Sequence, residues 1–114
     1  MTASVGVPVL RAYRAEFVAY QSEPEARMYH LGDAFGLAAG DVQSWARERA
    51  LCIADVLGGD GEAEVFRAWS GDAAGEETRR RLERGEPFFL SHVGPDCAFE
   101  LALRPVPVCG RAAP

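Results

Sequence analysis

Leu31 to Leu57, LGDAFGLAAGDVQSWARERALCIADVL, is the stretch on which the fold turns. Apolar and small side chains recur along it at helical intervals, and Gly36 interrupts them after Phe35. It therefore reads as a helix ending at Phe35, a glycine turn and a long amphipathic helix from Asp41 to Leu57. Asp41 suits the N-cap of that second helix, and Gly58 and Gly59 stop it. Its apolar side is Val42, Trp45, Ala46, Ile53, Val56 and Leu57, with Cys52 as a small buried neighbour of Ile53.

Upstream, Leu10, Tyr13, Phe17 and Tyr20 follow helical spacing, and Pro8 suits a first helical turn, so a helix is expected over 8–20. Val5, Val7 and Val9 alternate ahead of it, a pattern that fits a short strand or a disordered lead-in. Ser22 and Glu25 have capping-box spacing, which opens a second helix over 23–35 with Met28, Leu31 and Phe35 as its buried stripe. Tyr29 and His30 fall near the edge of that stripe. Downstream, Val65, Phe66 and Trp69 mark a short helix over 62–69. Glu76 and Glu77 ahead of Arg79, Arg80, Arg81 and Arg84 complement a helix dipole, and Gly85 and Pro87 stop that helix.

The character then becomes extended. Phe88 to Val93 and Cys97 to Val106 flank a Gly94, Pro95, Asp96 turn, which is a hairpin signal. Phe99, Leu101 and Leu103 alternate with Ala98, Glu100, Ala102 and Arg104, predicting one buried and one wet face. The expected fold class is α+β, mostly helical with four to five helices, followed by a C-terminal antiparallel β-hairpin. One compact domain is expected over 1–108, with 109–114 as a mobile tail.

The formal charge of the 114 residues is −5, which disfavours nonspecific affinity for nucleic acid or an anionic membrane and points to a basic partner. All twelve basic residues are Arg, and the chain has neither Lys nor Asn, a composition that fits a GC-rich bacterial genome. Cys52, Cys97 and Cys109 are an odd set with no close pair, as expected of reduced thiols in a cytoplasm and not of a secreted disulfide framework. The N-terminus lacks signal-peptide character and no apolar run approaches membrane-spanning length, so a cytoplasmic protein without membrane attachment is expected.

Leu31, Gly32, Phe35, Gly36, Leu37, Val42 and Trp45 resemble the register of a helix-turn-helix unit, with Gly32 where alanine is usual. That resemblance implies DNA recognition by Gln43, Ser44 and Arg47 at the start of the second helix. Helices followed by a hairpin are also the order of a winged helix, in which Arg79, Arg80 and Arg84 carry the contacts and the hairpin is the wing. Either version implies a homodimer, since half-site spacing mirrors protein symmetry. Against both, Asp33, Asp41, Glu48 and Asp55 outnumber Arg47 and Arg49 across the stretch, while a duplex calls for a basic surface.

No phosphate loop, nucleophile elbow or CxxC pair is present, and no pattern selects catalytic carboxylates. A metal site would need His30, His92, Cys52, Cys97 and Cys109 to converge from distant places. No catalytic residue, metal or cofactor is therefore expected. The leading expectation is a small acidic protein-binding module, non-enzymatic, of the inhibitor, immunity, antitoxin or accessory-subunit type, with a strand edge of the hairpin available to a partner. The alternative is a DNA-binding transcriptional regulator.

Overall fold

The computed structural model describes residues 9–57, 61–94 and 97–109. Strands β1 (Val9–Gln21) and β2 (Arg27–Gly36) come first, then helices α1 (Ala39–Leu57), α2 (Gly61–Trp69) and α3 (Asp72–Glu83), then strands β3 (Phe88–Val93) and β4 (Ala98–Cys109). The four strands form one antiparallel sheet in the order β2-β1-β4-β3. The first and last hairpins are thus joined through β1 and β4, the long central pair, which runs from Val9 opposite Cys109 to Tyr20 opposite Ala98.

This architecture corrects the mostly helical expectation. The two segments expected to be helices over 8–20 and 23–35 are the strands β1 and β2. In β1, Tyr13, Ala15 and Phe17 are buried toward the helices while Arg14 and Glu16 between them are not, which is a period of two. Ala, Arg and Glu favour helix in isolation, yet β1 is paired along both edges, and this non-local pairing overrides local propensity. Ser22 and Glu25 lie in the turn between β1 and β2 instead of capping a helix. That turn contains a cis Glu23–Pro24 peptide, and the Gln21 side-chain amide donates to the Glu23 carbonyl.

The helices from α1 onward and the C-terminal hairpin follow the sequence pattern, with shifts of a few residues at their ends. Asp41 lies in the first turn of α1, where its charge meets the helix dipole, and not at the cap. The buried stripe of α1 differs from the expected one: Ala39, Val42, Ala46, Ala50 and Ala54 are buried, Trp45 and Ile53 partly so, and Val56 and Cys52 are exposed. Small side chains at this spacing bring the α1 backbone close to its neighbours, which a stripe of larger residues would hold away. The expectations for the N-terminal lead-in and for 110–114 lie outside the described residues, and Cys109 belongs to β4 and not to a tail.

All three helices cover one face of the sheet. Tyr13, Ala15 and Phe17 of β1 and Leu101 and Leu103 of β4 share a core with Val42, Ala46 and Ala50 of α1, Phe66 and Trp69 of α2 and Leu82 of α3. Phe66 packs at its centre, with ring centroids 5.8 Å from Phe17 and 5.6 Å from Phe99. Trp69 stacks on Phe88 at 5.7 Å and donates its indole N–H to Thr78 Oγ1 at 3.2 Å, so the polar end of this large buried side chain is satisfied. No helix among the described residues is long and apolar enough to cross a membrane.

Candidate functional site

Alternation along the strands sends the remaining side chains to the other face of the sheet, which no helix among the described residues covers. The pairing register arranges them in rows across the strands. Met28, Tyr20, Ala98 and Val93 form one row, and His30, Val18, Glu100 and Ser91 the next. Asp33, Glu16, Ala102 and Phe89 follow, then Phe35, Arg14 and Arg104.

Large apolar side chains stand exposed at the margins of this face: Met28 at 62%, Phe35 at 66%, Phe89 at 55% and Val93 at 79%, with Tyr20 beside Met28. Its centre is small or charged. Val18 and Ala102 are buried by their neighbours. Arg14 Nη2 lies 3.3 Å from Glu16 Oε2 and 3.4 Å from Asp33 Oδ2, and His30 Nε2 is 3.5 Å from the same Glu16 oxygen. The Arg14 guanidinium sits 5.6 Å above the Phe35 ring, and Arg104 sits 5.9 Å from the Phe89 ring. Glu100 has no ion-pair partner among the described residues. At the Met28 row the sheet ends in a groove of about 500 Å³ lined by Tyr20, Arg27, Met28, Val93, Cys97 and Ala98. An apolar margin around a partly paired polar centre can seat a protein surface, with the aromatic and Met side chains as anchors.

The residues singled out for DNA contact have other company. Gln43, Arg47 and Arg79 do come together, lining a crevice of about 270 Å³ between α1 and α3 with Asp72 and Glu76. Arg47 is 3.5 Å from Asp72, and Arg79 is bonded to Glu76 and, at 3.0 Å, to Glu83. Arg80 shares Glu76 at 3.2 Å, and Arg84 pairs with Glu86 at 3.2 Å. The hydrogen bond from Arg79 holds the Glu76 carboxyl below its ordinary range, and Arg84 does the same for Glu86. Each of these arginines is thereby matched by a carboxylate, whereas phosphate recognition calls for cations that are available. Ser44 is exposed on α1. The helix-turn-helix corner itself is absent, because Leu31 to Gly36 belong to β2, and the hairpin expected as a wing is built into the main sheet through β4.

Among the described residues no three His, Cys, Asp or Glu side chains are grouped to hold a metal ion. His30 is on the open face, while His92 packs edge-on to Phe66 beneath the helices, so the sheet itself separates the two histidines. Comparison of the chain with family models, with curated proteins and with solved structures finds no match.

The open-face residues are hardly visible in the sequence. Tyr20, Met28 and Phe35 satisfy a helical stripe as well as a strand face, and only the period-two alternation of charge at Arg14 and Glu16 pointed the other way. Phe89 and Val93 were within reach of inspection, since they alternate with Phe88, Leu90 and His92 in a recognised strand.

Proposed function

We infer that this chain is a small non-catalytic protein-binding module, of the kind that an inhibitor, immunity factor, antitoxin or accessory subunit represents, and that it binds through the helix-free face of its sheet. The observation that carries this reading is the row Met28, Tyr20, Ala98 and Val93 with its groove, joined on the same face by exposed Phe35 and Phe89. Scattered exposed apolar residues are ordinary, but large ones sharing one uncovered sheet face mark an interaction surface.

The partner is a protein that presents apolar side chains with Arg or Lys beside them. Carboxylates Glu16, Asp33 and Glu100 outnumber Arg14 and Arg104 on this face, and Glu100 stands without a counter-ion among the described residues. The net charge of −5 steers a basic partner toward the chain in the same sense.

The test is affinity capture from source-cell lysate, with nuclease, using the wild-type chain, the Met28→Glu/Val93→Glu variant and the helix-face variant Glu77→Ala. The expected result is a basic protein retained by wild type and Glu77→Ala and lost with the double variant, followed by the same ranking with the purified pair. Equal retention by the double variant, or retention of nucleic acid in place of protein when nuclease is omitted, overturns the reading.

A further inference from the structure

The two outer strands of the sheet differ in how their free edges are guarded. β2 carries Arg27, His30 and Asp33, and its ladder with β1 is broken by a bulge in which Leu31 is the extra residue between His30 and Gly32. Charge and bulges are the usual means of keeping an edge from pairing with another chain. β3, FFLSHV, has neither: it contains no Asp, Glu, Lys, Arg or Pro, it pairs with β4 without a register shift, and no strand among the described residues covers its other edge.

We propose that β3 pairs antiparallel with β3 of a second copy of this chain, about a two-fold axis normal to the sheet at Ser91. Side-chain parity selects the register. Such an axis keeps both helix layers on the same side, and directly opposed residues must then point to the same face, so the axis passes through a residue and not between two. Centred on Ser91, the pairing sets Phe89 opposite Val93 of the second copy twice over, and Leu90 opposite His92. The two exposed apolar residues of the strand's open face are thus brought together, with no charge facing a like charge. Centred on Leu90, the pairing would leave Phe89 opposite Ser91 and set Val93 against Pro87, which has no N–H to give. The product is a continuous eight-stranded sheet, two four-stranded halves with all helices on one side and two open faces side by side on the other. The hydrogen bonds of this association are made at the edge, although its seam draws in Phe89 and Val93 of the open face; it is measured without any other partner, so its failure leaves the binding reading above intact.

Sedimentation equilibrium of the full chain over a wide concentration range tests it, with Ser91→Lys, Ser91→Glu and their equimolar mixture. Ser91 is exposed, and far-UV circular dichroism melts report whether each variant keeps the fold. The wild-type mass is expected to rise from 12.3 kDa toward twice that value with concentration. Each variant alone, with like charges opposed across the axis, is expected to raise the dimer dissociation constant about fivefold, and the mixture to restore association. A wild-type chain that stays monomeric at every soluble concentration overturns the proposal. So does self-association that both single variants retain unchanged, which would place the contact elsewhere, and so does a mixture that associates no better than its components.

Discussion

A Cβ built on Gly32 of β2 would lie 3.0 Å from Cζ2 of Trp45 on α1, and Gly32 itself holds a φ of +139°. The bulge that puts Leu31 between His30 and Gly32 depends on this backbone, and it lets α1 lie close over β2. Gly32→Ala is expected to destabilise the fold by about 1–3 kcal/mol, through both the strained φ and the contact with the indole. Urea denaturation measures it, and an unchanged midpoint would show that neither the bulge nor the indole contact depends on glycine here.

Gly32 and Trp45 are also two of the positions that make the sequence resemble a helix-turn-helix unit. Their proximity is real, but a strand and a helix make it instead of two helices. A small residue facing an aromatic one is a requirement of close packing in general, so the spacing alone carries no information on which elements meet. What was legible was local: α1, α2 and α3 announce themselves by period and stop signals, and β3 and β4 by alternation about Gly94 and Asp96. What was not legible was the commitment of β1 and β2 to the sheet, since β1 draws its strand state from β4, which lies far away in the chain. The candidate site inherits that blindness, because its rows exist only once all four strands are in register.

Thr78 accepts the indole N–H of Trp69 and donates to the Ala74 carbonyl at 2.9 Å, with almost none of its surface exposed. Thr78→Val leaves a buried donor without a partner and is expected to cost about 1–3 kcal/mol, while Thr78→Ser recovers most of it. Paired thermal melts of the two variants decide whether the hydroxyl or the volume is responsible.

Ala46 is fully buried in the stripe where α1 meets the sheet. Ala46→Leu forces α1 away from its neighbours and is expected to destabilise by about 1–3 kcal/mol, although leucine is larger and more apolar. A gain in stability would show that the layers are not close-packed at this point.

Glu76 and Glu86 titrate below their ordinary values because Arg79 and Arg84, respectively, hydrogen-bond their ionised forms. A carboxyl depressed in the folded state contributes stability that is complete above its unfolded value and lost as pH falls through the folded one. The melting temperature should therefore drop through the acidic range, and more gently in Glu76→Gln/Glu86→Gln. Identical pH profiles for wild type and variant would show that these pairs contribute nothing.

Met28→Glu/Val93→Glu changes two exposed side chains away from the core, so its stability, measured at concentrations where the chain is monomeric, should stay within about 0.5 kcal/mol of wild type. A larger loss in urea denaturation would mean that the open-face row supports the fold and is not free for binding.

Hydroxyl-radical footprinting at Met28, with and without the captured partner, shows whether the open face is the binding surface, because Met28 is highly exposed in the free chain and reacts readily. Oxidation of Met28, Phe35 and Phe89 is expected to fall several-fold in the complex, while Cys52 and Leu51 on α1 react as before. Met28 oxidised at the rate of the free chain, with protection on α1 or α3 instead, would place the binding surface on the helices.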